Sequence, residues 1–239
     1  ENENRIMLEF KQYKDEQKII SAMKRSIKRL KEFGLEPVIM PNALKDMEYI
    51  EKHPEARASD LKQAFMDDSI KAIITAIGGN DTYKTIPYLM EDPEFIEAVK
   101  NNPKIFTGFS DTTNNHLMLN RLGLSTFYGP CLLVDIAELD AEMLTYTKEH
   151  FEKFFMDESS FEIKSSQVWY SDRKSYGPEE VGKSREMHQE QHGFETLNGS
   201  GIVTGKLYGG CIESIYDAFT GASFEDEPSV YQKYSILPF

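Results

Sequence analysis

Lys104-Ile-Phe-Thr-Gly108-Phe-Ser110-Asp111, continued by Thr112-Thr-Asn-Asn-His-Leu-Met-Leu-Asn-Arg-Leu122, sets two patterns back to back. Lys104 to Gly108 is a short apolar run of the kind that forms a buried strand, and Asp111 to Leu122 follows directly with helical character. The same order recurs upstream. Lys71-Ala-Ile-Ile-Thr-Ala-Ile77 reads as a strand closed by Gly78-Gly79, with helical stretches from Thr82 to Met90 and from Pro93 to Asn101 after it. Before it lie a helical segment from Ala58 to Met66, a strand from Glu36 to Met40 closed by Pro41, and a long helix from Lys11 to Phe33. In that helix Ile19, Ile20, Met23, Ile27 and Leu30 recur at helical spacing, and Gly34 stands where a left-handed cap would end it. Strands alternating with helices predict βαβ units and a parallel sheet. Such sheets bind ligands at the carboxyl ends of their strands, here the turns at Gly78-Gly79 and Ser110.

The pattern changes after about Phe155. Ser165 to Gln191 is polar, contains Gly177-Pro178 and the single tryptophan, Trp169, and reads as a long loop. Gly199 to Gly210 alternates like a bent strand, and Cys211 to Phe219 reads as a short helix. The predicted division is an α/β domain over 1–160, then an interdomain loop and part of a smaller domain over 161–239.

Composition narrows the function classes. Among 239 residues, 40 acidic against 27 basic side chains give a net charge of −13, which opposes binding to polyanions. The one dense basic run, Lys24, Arg25, Lys28, Arg29 and Lys31, is interleaved with Ile27 and Leu30 and reads as the solvated face of a helix. Nucleic acid and membrane surfaces are therefore not expected partners. Cys131 and Cys211 stand far apart, with no pattern for a disulfide framework or structural zinc. With no long apolar stretch and no basic-then-apolar opening, the expected compartment is the cytoplasm.

Ser110 lies between a predicted strand and a predicted helix, where a sharp turn lifts a hydroxyl above a sheet. The Asp111 backbone N–H and the helix N-terminus would face the same space and could stabilise an oxyanion, with Gly79 as the second donor. The plainer reading is an N-cap serine ahead of Asp-Thr-Thr, and the motif lacks the final glycine of the usual esterase pattern. Similarly, Gly78-Gly79-Asn80-Asp81 could be only a tight turn and anion nest in a noncatalytic ligand-binding module. Tyr128-Gly129-Pro130 reads as a rigid turn with no catalytic role.

Several segments, in order, resemble the serine peptidases that include LD-carboxypeptidases and microcin C self-immunity proteins. They are Arg57 to Lys62 with Ala64-Phe65, Ala72 to Gly79 with Ile86-Pro87-Tyr88-Leu89, Pro103 to Thr112, Gly123 to Pro130, and Gly199 to Glu213. The resemblance implies a Rossmann-like parallel-sheet domain joined to a smaller β-rich C-terminal domain, an active site between them, a Ser-Glu-His triad, homodimers, and no metal or organic cofactor. Ser110 matches the nucleophile and Glu213 the acid. Read without the resemblance, Glu213 is a solvent-facing carboxylate in the first turn of a helix. Two features depart from the family pattern. Its histidine lies well downstream of the glutamate, where this sequence has none, and its opening strand is not recognised ahead of the long helix, so both domains are expected to be incomplete here. His53, His116, His150, His188 and His192 do not occupy the family's position, and His116 is expected to point away from Ser110.

The implied substrate is a small peptide or peptidyl-nucleotide. Gln167 to Asp172, Arg185-Glu-Met187 and Gly193 to Ser200 resemble the loop of the microcin-immunity branch, which stacks an aromatic ring on adenine. Trp169 or Tyr176 would be that ring, with Gly78 lining the substrate site; equally, Trp169 could serve only to anchor the loop. Hydrolysis of cell-wall tetrapeptides by an LD-carboxypeptidase is the competing enzymatic reading.

Overall fold

The structure, a computed structural model, describes residues 5–9, 16–156 and 160–237. A five-stranded parallel sheet runs in the order β2-β1-β3-β4-β5, with β1 Arg5–Glu9, β2 Glu36–Ile39, β3 Ile70–Thr75, β4 Ile105–Gly108 and β5 Phe127–Tyr128. Crossover helices α1 Glu16–Glu32, α2 Met47–Lys52, α3 Pro54–Met66, α4 Ile86–Met90, α5 Pro93–Asn101 and α6 Thr113–Arg121 join the strands, giving the α/β class expected. In register, Met7 of β1 lies between Val38 and Ile73, and Gly108 pairs with Tyr128 at the far edge. The strands buried on both faces supply Ile73, Ile74 and Phe106, and α3 and α5 close over them with Phe65 and Phe95 packed edge to face at 5.6 Å.

Four details depart from the sequence reading. The opening strand is present: Arg5–Glu9 sits second in the sheet, where pairing on both edges compensates for its shortness. In α1, Arg29 is buried and donates from Nη1 to the Ile136 carbonyl at 2.8 Å, while Arg25 Nε reaches the Ala137 carbonyl at 3.3 Å. These two arginines therefore cap the π-helical turn Leu132–Ile136 instead of lying on a solvated face. The expected loop over 165–191 contains a hairpin, β6 Val168–Tyr170 antiparallel to β7 Met187–Gln189. The stretch 199–210 forms no regular strand among the described residues; alternation alone cannot hold a strand without a partner ladder.

Two compact units emerge. Residues 1–137 and 209–239 form the sheet-bearing unit, which includes α8 Ile212–Thr220 and α9 Glu227–Tyr234. Residues 138–208 form the other, with α7 Thr145–Glu152 and the hairpin; residue 160, the division expected from composition, falls inside it. Among the described residues no helix is long and apolar enough to cross a membrane.

Candidate active site

The carboxyl ends of β3, β4 and β5 carry Gly78, Ser110 and Tyr128 to one place. Ser110 opens the 3₁₀ turn Ser110–Thr112 between β4 and α6 with φ +61°, in the left-handed region that a residue with a Cβ enters at a cost of about 1 kcal/mol or more. Its surroundings hold it there. The Ser110 N–H donates to Tyr128 Oη at 2.9 Å, and its carbonyl accepts from Thr113 Oγ1 at 2.7 Å. Gly78 passes so close that a Cβ there would lie 2.7 Å from Ser110 Cβ, 2.9 Å from Ser110 Oγ and 3.1 Å from the Asp111 nitrogen. Only glycine permits that approach.

Asp111 is buried, and its carboxylate accepts the Thr82 N–H at 2.9 Å and the Asn114 side-chain amide at 2.7 Å. It thereby ties the turn after β3 to the start of α6. The same turn is fixed at Asp81, which receives both Nη1 and Nη2 of buried Arg57 at 2.9 and 3.0 Å. Gly79 is half-buried between these anchors, directly after Gly78. Behind Asp111, Tyr231 of α9 donates to Asn114 Oδ1, and buried Glu227 is pushed up to about 7 by burial and by the carboxylates of Asp111, Asp217 and Asp226.

Glu213 lies exposed in the first turn of α8. The Cys211 thiol donates to its Oε2 at 3.0 Å and holds the carboxyl below the ordinary range. The link back to Ser110 is Thr113, whose Oγ1 also accepts the Cys211 N–H at 2.9 Å.

No histidine among the described residues hydrogen-bonds Ser110 Oγ or Glu213. His116 is buried, with Nε2–H donating to the Gly108 carbonyl at 2.9 Å and Nδ1 accepting from Thr126 Oγ1 at 2.7 Å, and burial pushes it down to about 4. Both its ring nitrogens are thus taken by partners other than the Ser110 hydroxyl, and it braces the end of β4 and the ring of Tyr128, whose centroid lies 5.5 Å away. Among the described residues no cluster of His, Cys, Asp and Glu could hold a metal ion.

In the other unit, Trp169 is half exposed and stacks on His188 across the hairpin, with centroids 4.1 Å apart. His188 Nε2 is in turn 2.8 Å from Ser171 Oγ. Tyr176 is half-buried, near an ionic cluster in which Glu138 meets Arg173 and Arg185; burial, the leading cause, raises its phenol pKa. The sequence reading gave Tyr128 only a turn, Arg57 only a place in a resembling segment and Thr113 no part in the site. Tyr128, Thr113 and Arg57 act through partners 18, 98 and 24 positions away, and local periodicity carries no trace of such pairs.

The peptidase S66 profile for the LD-carboxypeptidase N-terminal domain matches residues 13–129. The crystal structure of an MccF-like protein from Streptococcus pneumoniae in complex with AMP is 43% identical with TM-score 0.92, covering 99% of this chain and 68% of that one. The chain belongs to the LD-carboxypeptidase family. Within the LD-carboxypeptidase family, the putative carboxypeptidase YocD of Bacillus subtilis is 30% identical over 187 residues, 76% of this chain and 52% of that protein. The microcin C7 self-immunity protein MccF of Escherichia coli is 26% identical over 162 residues, 66% of this chain and 44% of that protein. The chain thus spans about half the length of these curated relatives. The family is one of serine peptidases, and the α/β fold with its parallel sheet is the fold of the Streptococcus pneumoniae relative.

Proposed function

We propose that this chain carries the nucleophile and the acid of a serine peptidase that hydrolyses the C-terminal amide of a peptidyl-adenylate, as in microcin C self-immunity. The observation that carries this reading is Ser110 held at φ +61° on a strand-to-helix turn, with Gly78 packed against both its side chain and the Asp111 nitrogen. In this reading Ser110 Oγ attacks the scissile carbonyl carbon, and the N–H groups of Asp111 and Gly79 stabilise the oxyanion. A histidine oriented by Glu213 takes the serine proton and returns it to the leaving amine, after which water releases the peptide acid. The resemblance puts that histidine downstream of Glu213, so the activity is proposed for the protein that carries it. No metal or organic cofactor is invoked.

Preference for an adenylate is supported by the AMP bound to the 43% identical relative and by Trp169, whose half-exposed ring can stack on a base. Tyr176 is the second candidate for that contact. The competing reading is cleavage of cell-wall tetrapeptides by an LD-carboxypeptidase; the profile spans both branches and does not choose between them. The two free cysteines, with the Cys131 thiol buried, support placement in the reducing cytoplasm, and a homodimer is proposed from the resemblance alone.

The test is turnover by the full-length gene product of a peptidyl-sulfamoyl adenylate and of a tetrapeptide ending in D-alanine. Hydrolysis lost in Ser110→Ala supports the peptidase, and the preferred compound chooses the branch. Absence of turnover and of any covalent adduct at Ser110 would leave a noncatalytic binding module.

A further inference from the structure

Thr113 is buried at the first position of α6, and its single hydroxyl has two partners, one three residues before it and one 98 residues after it. As donor it reaches the carbonyl of Ser110 at 2.7 Å; as acceptor it takes the N–H of Cys211 at 2.9 Å. A threonine hydroxyl offers one proton and two lone pairs, so both bonds coexist on one oxygen. Cys211 is the N-cap of α8, and Glu213 follows in the first turn of that helix. The backbone of the nucleophile and the start of the helix that carries the acid are therefore joined through one oxygen atom.

The joint is built for close approach. A Cβ on Gly210 would lie 2.5 Å from Thr113 Cγ2 and 2.6 Å from Thr113 Oγ1, so any side chain at 210 would drive the two segments apart. The Thr113 methyl fills the space against Gly210 while the hydroxyl makes the bonds. Valine would keep the shape and lose both bonds, and serine would keep both bonds and lose the methyl.

We propose that Thr113 is a positioning residue that sets the register between Ser110 and Glu213. The inference rests on the serine-peptidase reading above. It adds a residue that takes no part in the chemistry itself and acts through the proposed nucleophile and the proposed acid. An error of about 1 Å in such a register can lower a rate by two orders of magnitude.

The experiment compares steady-state hydrolysis of the peptidyl-sulfamoyl adenylate and the D-alanine tetrapeptide by the full-length protein and its Thr113→Val, Thr113→Ser and Gly210→Ala variants. All are assayed well below their measured melting temperatures. Thr113→Val is expected to lose about 10- to 100-fold in kcat with KM within about threefold, and Thr113→Ser to recover most of that loss. Gly210→Ala should show the same kcat-weighted loss without altering the hydroxyl, and it carries the test if the valine variant does not fold. Valine or alanine variants with unchanged kcat would overturn the proposal, as would a serine variant as impaired as valine, which would assign Thr113 to packing alone. If the unaltered protein turns over neither compound, the serine-peptidase reading falls and this proposal falls with it; an active unaltered protein isolates the failure to Thr113.

Discussion

Tyr128 Oη accepts the backbone N–H of Ser110 at 2.9 Å, so the edge strand β5 holds the turn that follows β4 by its main chain. Tyr128→Phe removes one oxygen and leaves the ring against His116. The expected result is a kcat lowered by about tenfold with stability changed by no more than about 1.5 kcal/mol, read by steady-state kinetics beside urea denaturation. Equal kcat values would show that the turn holds its shape without the phenol.

Because Ser110 sits at φ +61°, relief of strain and loss of chemistry should go together. Ser110→Gly is expected to stabilise the fold by about 1 kcal/mol while abolishing turnover, whereas Ser110→Ala abolishes turnover with no such gain. Denaturation midpoints that rank alanine at or above glycine would contradict a strained turn.

Arg57 and Asp81 form a buried bidentate pair that anchors the Gly78-Gly79 turn. Asp81→Asn leaves the guanidinium without its countercharge and should lower stability by about 3–5 kcal/mol. A loss below about 1 kcal/mol in a chemical melt would place the pair outside the structure that positions the turn.

Two buried groups at the site pull stability in opposite directions with pH. His116 is held down at about 4 from 6.5, so its contribution is present above pH 6.5 and is lost as pH falls through 4. Glu227 is held up at about 7 from 4.5, so its contribution is present below pH 4.5 and is lost as pH rises through 7. Between pH 4.5 and 6.5 the two slopes, each about 1.4 kcal/mol per pH unit, cancel. Glu227→Gln leaves His116 unopposed. Its stability relative to the unaltered protein should climb by about 1.4 kcal/mol per unit across that window, and a pH-independent difference would refute the opposition.

Trp169 offers a half-exposed ring backed by His188. In the adenylate reading proposed above, Trp169→Ala should weaken AMP binding by about tenfold in calorimetry, in line with about 1–3 kcal/mol for a stacked base. Unchanged affinity would turn attention to Tyr176.

The strand-turn-helix at Ser110 was legible because the hydrophobic period changes within a few residues, from an apolar run ending at Gly108 to helical spacing after Asp111. The strand Arg5–Glu9 was not, since five residues with charge at both ends give too short a pattern, and its place was decided by pairing with β2 and β3. Arg29 read as surface because its partner, a carbonyl 107 residues away, leaves no local mark. The alternation over 199–210 was legible, yet a strand is a property of two segments and not of one. The same holds for the site: the residue types were visible at Ser110 and Glu213, while the bonds that aim them through Tyr128 and Thr113 were long-range.

The sheet-bearing unit is left after residue 137 and rejoined at 209, so residues 138–208 have the topology of an insertion. Ser110, Asp111 and Glu213 belong to the host; Trp169 and Tyr176 belong to the guest. None of the five strands of the sheet comes from the guest, so a change of length or sequence within 138–208 removes no rung of the host's ladder.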